Sequence, residues 1–282
     1  MKFRQLADMV ITNHYQYKKS PMNTIITNEL VELIGDVNIK AINATTYDEL
    51  LKIWRDKGNS PSTINRKLKT LGFCMTYAYE RNLITARPKF RALTETPEEL
   101  SFVSPLQESA LLEYFTVTDE DKLKLTEEKL MIKTLMKAII IIGLDTGARM
   151  SELLKIDGEH IDNNYIRIYI SKNDKPRSIP MTKRVREQIE IIKQYDYFSN
   201  LSKPKVSYQF NETAVKKLGF NDITFHSLRH TFCSRLLQAG VPIYKVSKLM
   251  GHKTVVITDK IYGHLVNKDL EDAIALLEKT YN

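Results

Sequence analysis

A stretch with three prolines divides the chain and restricts it to a fold in two parts. Residues 86–105 read ARPKFRALTETPEELSFVSP and contain no sustained apolar period. Each proline disfavours helical backbone at the residue before it, so the stretch is typical of a linker or an extended crossing segment. We therefore predict a first domain over residues 1–92, a linker over 93–105 and a second domain over 106–282.

The clearest element of the first domain is a helix from about Thr63 to Asn82. Apolar residues recur along it at the spacing of one helical face. They are Ile64, Leu68, Leu71, Met75 and Ala78. Shorter helical patterns cover residues 4–15, 28–34 and 47–57. The first domain is therefore predicted to be small and entirely helical, with a basic exposed face.

The charge of the chain is distributed unevenly. Its formal net charge is +8, from 42 Lys and Arg against 34 Asp and Glu. Residues 1–92 hold 15 of the basic and 8 of the acidic residues, while residues 93–282 hold 27 and 26. The excess in one third of the chain indicates a polyanionic partner, which by charge alone can be DNA, RNA or an anionic membrane. A solvated basic face without a partner is the alternative.

Helical patterns dominate the second domain, and one segment has a different period. Ile166, Ile168 and Ile170 alternate with more polar residues, which is the period of a β-strand. A polar turn then leads into a second strand over residues 177–181, so a hairpin with basic residues near its tip is predicted. The predicted helices cover residues 108–115, 127–144, 183–194, 213–218, 227–239, 243–250, 259–264 and 269–279. The fold class is therefore mainly α with a small antiparallel β-sheet.

The sequence gives no sign of a membrane span or a disulfide framework. Its longest apolar run, residues 138–144, is far shorter than the roughly 20 residues that cross a bilayer. No signal peptide is predicted either. The two cysteines, Cys74 and Cys233, lie far apart in sequence, which favours a reducing compartment. We therefore expect a cytoplasmic protein.

Three segments of the second domain place basic and imidazole side chains at helix starts or loop tips. TGARMSELL contains Arg149 beside a glycine turn, where free backbone N–H groups can also meet an anion. The hairpin tip carries Lys172. The third segment, HSLRHTF, is followed by MGH and then by Tyr262. Taken singly, each has an ordinary explanation, since Arg149 can pair with Glu152, Lys172 can be a solvated turn residue and His252 can cap a helix.

As an ordered set, these residues resemble the active-site series of the tyrosine recombinases, the phage integrase family. The fragments TGARMSELL, HSLRHTF and MGHKTVVITDKIYGHL match the catalytic-domain motifs of that family in order. The segment STINRKLKTLGFCMTYAYERNLI is similar to the last helices of its core-binding domain. The resemblance covers nearly the whole chain. It implies a small all-α core-binding (SAM-like) domain followed by a mostly helical catalytic domain with a small antiparallel sheet.

The resemblance also assigns a role to each residue of the set. The assigned catalytic residues are Arg149, Lys172, His226, Arg229, His252 and Tyr262. The two arginines would clamp the scissile phosphate with the two histidines as imidazole partners, and the tyrosine would be the nucleophile. Lys175 is a second lysine in the hairpin turn, so either lysine can be the general acid. The gap of ten residues between the second histidine and the tyrosine is one longer than in many members.

Cleavage of a phosphodiester needs this combination of side chains. Guanidinium groups offer planar, permanently charged forks to the nonbridging oxygens. Free tyrosine has a pKa of about 10, so the nucleophile needs a base near neutrality, for which His226 is the better candidate and His252 a hydrogen-bonding partner. The lysine would protonate the departing 5′ oxygen. Because a 3′-phosphotyrosyl link preserves the energy of the broken bond, no nucleotide cofactor is expected. Because positive side chains would neutralise the phosphate, no metal is expected either.

Double-stranded DNA is the partner that the resemblance implies. Arg66, Lys67 and Lys69 fall largely off the apolar stripe and would contact phosphates of the duplex, with residues 86–105 connecting two domains that clamp it. The last predicted helix, residues 269–279, would either pack on its own domain or dock on a neighbouring protomer of a homotetramer. An excisionase or a host architectural protein would be a further partner.

The expected function is therefore site-specific recombination that integrates or excises a phage or other mobile element. A Xer-like resolvase of chromosome or plasmid dimers and a non-catalytic DNA-binding protein of the same fold are the alternatives. His226 and His230 have the i, i+4 spacing of a zinc pair, but neither a His-Glu-x-x-His motif nor a clustered cysteine accompanies them. We predict that His230 is a structural residue that supports the site.

Overall fold

Helices make up most of the regular structure in the computed structural model, which describes residues 1–18, 21–95, 100–169 and 176–263. The chain divides into two units, Met1–Glu98 and Glu99–Asn282. Within the described ranges there is one β-sheet, of three antiparallel strands. The predicted fold class, mainly α with a small antiparallel sheet, is confirmed.

Four α-helices form the first unit. They are α1 (Phe3–Val10), α2 (Met22–Ile34), α3 (Ala44–Asp56) and α4 (Pro61–Glu80), with a π-helical turn at Ile11–Tyr15 and a 3-10 turn at Ile39–Ala41. Helix α4 begins where the Ser60 hydroxyl accepts a hydrogen bond from the N–H of Thr63 and Pro61 takes the first helical position. The five apolar residues of its predicted stripe are all buried in the core of this unit, around Trp54 of α3.

The chain after α4 lies against the first unit as an extended segment. Asn65 of α4 makes two hydrogen bonds to the backbone of Leu93. Its Nδ2 donates to the Leu93 carbonyl at 2.9 Å, and its Oδ1 accepts from the Leu93 N–H at 2.7 Å. Phe90 stacks on Tyr47 with ring centroids 6.0 Å apart, and the Tyr47 hydroxyl donates to the carbonyl of Arg91 at 2.7 Å. The segment up to Leu93 is therefore held on α3 and α4.

The second unit contains the only β-sheet of the described ranges. Its helices are α5 (Pro105–Tyr114), α6 (Asp119–Lys124), α7 (Glu127–Thr146), α8 (Met150–Leu153), α9 (Lys183–Lys193), α10 (Lys203–Asn211), α11 (Ser227–Gln238), α12 (Ile243–Met250) and α13 (Val255–Tyr262), and its strands are β1 (Ile161–Asp162), β2 (Tyr165–Ile168) and β3 (Arg177–Pro180). Of the elements absent from the sequence prediction, α6 buries no side chain, β1 has two residues and α10 buries only Val206 and Phe210. None of them has a sustained apolar period.

Helix α7 lies at the centre of the second unit. Its residues 138–144 are buried, and α9 and α11 pack against it. The two strands of the predicted hairpin pair antiparallel, with Ile166 of β2 opposite Ile179 of β3 and both side chains in the core, while Ile170 and the turn lie outside the described residues. The end of α7 thus comes next to the start of α11, where the candidate site lies. The predicted helix at 269–279 is outside the described residues.

Candidate active site

Helix α11 places Arg229 where the ends of two other helices meet. The residue is 3% exposed. Its Nη1 donates to the carbonyl oxygen of Gly147 at 2.6 Å, and its Nη2 donates to the carbonyl oxygen of Met250 at 2.7 Å. Both acceptors are carbonyl groups left free at helix C-termini, so α7 and α12 fix the guanidinium. Burial, followed by the charges of Arg149 and Arg177, lowers the pKa of Arg229 to about 9, which leaves it cationic at neutral pH.

Two glycines allow the backbone to approach these side chains closely. Gly147 ends α7 with a φ of +61°, and an added Cβ would lie 2.4 Å from the ring of Phe232. Gly251 ends α12 with a φ of +74°, and a Cβ there would lie 2.7 Å from Nη1 of Arg177. Both positions combine left-handed backbone with too little space for a side chain, which only glycine tolerates.

A buried carboxylate joins Arg149 to a second arginine. Glu152 accepts hydrogen bonds from the backbone N–H of Arg149 at 2.9 Å and from Nη2 of Arg177 at 2.8 Å. The Arg149 guanidinium lies 3.5 Å from the same carboxylate. Burial alone would raise the pKa of Glu152, but the hydrogen bond and charge of Arg177, together with Arg149, lower it. The ionised carboxylate therefore ties the start of α8 to strand β3.

His252 contacts Arg229 through one ring nitrogen and a hydroxyl group through the other. Its Nε2 lies 3.1 Å from Nη2 of Arg229, and its Nδ1 lies 2.8 Å from Oγ1 of the buried Thr258. A guanidinium can only donate, so Nε2 of His252 accepts. Nδ1 therefore carries the ring proton and donates a hydrogen bond to the Thr258 hydroxyl. Burial, with the charges of Arg229, Arg149 and Arg177, lowers the pKa of His252 to about 4. The ring is therefore neutral at neutral pH.

Tyr262 ends α13 with its ring in the core. The residue is 1% exposed and packs in a cluster with Phe232, Cys233 and Met250. Its hydroxyl oxygen lies 2.5 Å from Nδ1 of His230. Burial, followed by the charge of Cys233, raises the pKa of Tyr262 above its ordinary value. The phenol is therefore protonated at neutral pH.

The remaining histidine of the predicted set, His226, precedes the first residue of α11. Its ring lies edge to face against that of His230, with centroids 4.8 Å apart. Desolvation, followed by the charges of Arg229 and Arg149, lowers the pKa of His226. Among the described residues the two rings are not part of any cluster of three or more His, Cys, Asp or Glu side chains that could hold a metal ion.

Five of the six predicted catalytic residues line one cavity of about 440 Å³. Its lining residues are Arg149, His226, Arg229, His230, His252, Lys253, Ile257, Ile261 and Tyr262. The two guanidiniums can donate to an anion, His252 holds one of them in place, and a tyrosine hydroxyl can act as a nucleophile once it loses its proton. Lys172 and its alternative Lys175 lie outside the described residues.

Three residues of this site were missed or undervalued by the sequence analysis. Arg177 is the charged partner of Glu152, and its position five residues after the predicted Lys172 was the only signal for it. Glu152 was noted only as an alternative partner of Arg149. His230 was expected to be a supporting residue, and its spacing from His226 on one helix face was the sole hint of its contact with Tyr262.

Of the three residues predicted to bind DNA, one is not on an exposed face. Arg66 and Lys69 are exposed on α4, as expected. Lys67 is buried, and its Nζ lies 2.7 Å from Glu29 of α2 and over the ring of Trp54. The expectation that Lys67 belongs to the exposed basic face was wrong, because its long side chain reaches an acidic partner on a neighbouring helix.

The extended segment on the first unit adds exposed basic residues. Arg87, Lys89 and Arg91 are all exposed, and together with Lys69 they line a groove of about 530 Å³ along α4. As for membranes, the described part of the chain contains no helix with the length and apolar character needed to cross one.

The chain is similar in sequence and in fold to known proteins. The sequence profile of the phage integrase family matches residues 116–268. The integrase of Escherichia phage P2 is 27% identical over 264 residues, which cover 93% of this chain and 72% of that protein. The tyrosine recombinase XerC of Staphylococcus epidermidis RP62A is 27% identical over 225 residues, 74% of this chain and 73% of that one. A lambda integrase tetramer bound to a Holliday junction has the same fold, with a TM-score of 0.71, 15% identity and coverage of 90% of this chain and 78% of that one.

Proposed function

This chain belongs to the phage integrase family, and from that premise we propose that it is a site-specific DNA recombinase with Tyr262 as its nucleophile. The observation that carries the proposal is that Tyr262 lines the same cavity as Arg149, Arg229 and His252. Attack by the phenol oxygen on a DNA phosphate forms a 3′-phosphotyrosyl link and releases a 5′ hydroxyl. Attack by a 5′ hydroxyl from another strand then reverses the chemistry and joins the strands in a new arrangement.

The phosphate is held by groups that are already fixed before DNA binds. Arg229 is fixed by two backbone carbonyls and by His252, whose ring is in turn oriented by Thr258. Glu152 orients the start of α8 and therefore Arg149. Donors that are fixed in advance stabilise the charge that develops on the nonbridging oxygens without reorganising during the reaction. The site therefore favours the transition state of phosphoryl transfer over the ground state.

The departing 5′ oxygen requires a proton, and we assign its delivery to Lys172, with Lys175 as the alternative in the same turn. Arg177, at the start of the strand that follows this turn, contacts Glu152 next to Arg149, which supports the assignment. Both strand-transfer steps exchange one phosphate ester for another. The reaction therefore needs no energy from a nucleotide cofactor.

We assign the binding of duplex DNA in part to the first domain, residues 1–92 with the linker 93–105, and the chemistry to residues 106–282. Arg66 and Lys69 on α4, with Arg87, Lys89 and Arg91 on the extended segment, supply exposed positive charge for backbone phosphates. Such contacts hold a protein on DNA but do not read its sequence. Specific recognition of a recombination site requires further contacts to bases.

We propose that the active assembly is a homotetramer on two paired DNA sites, as in the lambda integrase tetramer on a Holliday junction. The predicted helix at 269–279 is the candidate contact between neighbouring protomers. The identity to the P2 integrase equals that to XerC, although the match to the integrase extends over more of this chain. Integration or excision of a mobile element in the cytoplasm is therefore the function we favour over dimer resolution, with an excisionase or architectural protein as a partner.

A nicked suicide substrate tests the proposal. The duplex carries the sequence that flanks the gene, with a nick that releases a short strand after cleavage and traps the covalent complex. We expect wild-type protein to form an adduct that resists denaturation, and Tyr262→Phe to bind the same duplex without forming one. An adduct of undiminished yield with Tyr262→Phe would overturn the proposal.

A further inference from the structure

The hydroxyl of Tyr262 lies against a histidine that the family resemblance does not assign to catalysis. Nδ1 of His230 is 2.5 Å from the Tyr262 hydroxyl oxygen. No hydrogen bond joins Tyr262 to His226 or His252 within the ranges that the structure describes. His226, the base expected from the sequence, instead packs its ring edge to face against His230. The histidine next to the phenol is therefore His230, whereas the sequence analysis named His226 as the base.

The position of the His230 ring is fixed on several sides. It lies on α11 immediately after Arg229, and its backbone N–H donates to the carbonyl of His226 at 3.3 Å. Its ring centroid is 4.8 Å from that of His226 and 5.8 Å from that of Tyr262. Arg229 and His230 are consecutive residues of α11. The first carries the guanidinium that we propose binds the phosphate, and the second contacts the hydroxyl of Tyr262.

The protonation states allow the phenol to donate to this histidine. Burial, followed by the charges of His226 and Arg229, lowers the pKa of His230 to about 4, so one ring nitrogen has a free lone pair at neutral pH. The titratable or charged groups around it are His226, Arg229 and Cys233 on its own helix and Tyr262 on α13, with Arg149, His252 and Lys253 lining the same cavity. None of these is a carboxylate that would compete for the phenol proton.

We propose that His230, rather than His226, accepts the proton of Tyr262 as its oxygen attacks the scissile phosphate, an inference that rests on the recombinase function proposed above. The bond from the phenol oxygen to phosphorus forms while the O–H bond breaks and its proton moves to Nδ1. The bond from phosphorus to the 5′ oxygen breaks, and this oxygen takes a proton from the general acid. The negative charge of the phosphate offsets the imidazolium formed beside Arg229. In the rejoining step Tyr262 leaves phosphorus and recovers its proton from His230.

The test compares four full-length proteins, namely wild type, His230→Asn, His226→Asn and His160→Asn. The asparagine amide can occupy the place of Nδ1 and keep a hydrogen bond to the phenol, but it cannot take up a proton. His160 ends a 3-10 turn, Gly158–His160, and pairs with Asp157, which directly precedes this turn, so it serves as the control for a histidine outside the cavity. Single-turnover cleavage of the suicide duplex is measured from pH 6 to pH 10, with DNA affinity measured in parallel.

We expect His230→Asn to slow cleavage at pH 7 by about 100-fold or more, with unchanged affinity for the duplex. The loss should shrink by about tenfold per pH unit as hydroxide replaces the missing base. His226→Asn should show the same pH dependence of cleavage as wild type. His160→Asn should cleave at the wild-type rate. Cleavage by His230→Asn within threefold of wild type, or a loss of the same size at every pH, would overturn the inference.

A second measurement requires no activity. With 3-fluorotyrosine at position 262, the ¹⁹F resonance should shift in His230→Ala and stay in place in His160→Asn. An unmoved resonance in His230→Ala would overturn the inference even in an active enzyme. If the resonance moves but wild-type protein cleaves no duplex, the recombinase proposal itself fails and the role of His230 as base fails with it.

Discussion

Nη1 of Arg229 donates a 2.6 Å hydrogen bond to the carbonyl oxygen of Gly147, a residue 82 positions earlier in the chain. The contact requires the last turn of α7 to lie directly beside α11, and Gly147 permits this because it has no Cβ. The arginine that we propose binds the phosphate and a structural glycine are therefore parts of one arrangement.

Gly147→Ala should destabilise the protein more than Gly240→Ala. Both glycines have left-handed backbone, with φ of +61° and +76°, but nothing lies within 4 Å of a Cβ at Gly240. Alanine at Gly240 should cost about 1 kcal/mol for backbone strain alone. At Gly147 the clash with Phe232 should add about 1–3 kcal/mol. Denaturant unfolding of both variants measures the difference, and equal losses would show that Phe232 moves aside without cost.

Glu152→Gln should lower both stability and cleavage. Gln keeps the shape of the side chain but leaves Arg177, whose side chain is 6% exposed, without a charged partner, and breaking such a buried pair costs about 3 kcal/mol or more. The exposed pair of Glu190 and Lys193 provides a control, since Glu190→Gln should change stability by less than about 0.5 kcal/mol. Chemical denaturation at pH 7 compares the two variants.

The buried pair of Glu152 and Arg177 also predicts how the stability of the protein depends on pH. The pKa of Glu152 is lowered in the folded protein, so its contribution to stability is complete above the unfolded value of about 4.3 and is lost as the pH falls through the lowered value. The difference in unfolding free energy between wild type and Glu152→Gln should therefore narrow below about pH 4. A difference that widens with acidification would contradict the ionised state of Glu152.

Lys67 and Lys69 should have opposite effects although they lie two residues apart on α4. Lys67→Met leaves Glu29 without its cation and should reduce stability by about 1–3 kcal/mol, with little change in the salt dependence of DNA binding. Lys69→Ala should leave stability unchanged and reduce the slope of log affinity against log salt by about 1. Thermal unfolding and fluorescence anisotropy at several salt concentrations measure both. An unaltered slope in Lys69→Ala would remove that residue from the DNA-binding face.

Thr258→Val should slow cleavage by about tenfold while Thr258→Ser restores it. Valine has the shape of threonine but cannot accept the proton that Nδ1 of His252 donates, so the ring loses the partner that fixes its orientation. Single-turnover cleavage and thermal unfolding should be measured together. A valine variant with wild-type cleavage would show that Arg229 alone positions His252.

The sequence predicted the parts of this molecule that depend on local pattern. The stripe from Ile64 to Ala78 and the alternation of Ile166 and Ile168 specify which faces are buried, and the structure buries them. Lys67 was misjudged because position on a helix face does not reveal whether Glu29 of another helix is within reach of a long side chain. The contact between His230 and Tyr262 was missed for the same reason, since the two residues lie 32 positions apart with the whole of α12 between them.

The central claim is that Tyr262 becomes covalently bonded to the 3′ phosphate of cleaved DNA. The direct measurement is mass spectrometry of the trapped complex after digestion with trypsin and nuclease. We predict a nucleotide remnant on Tyr262 in the peptide IYGHLVNK, residues 261–268, attached through its 3′ phosphate, and a free 5′ hydroxyl on the released strand. A remnant on any other residue, or one attached through a 5′ phosphate, would contradict the claim.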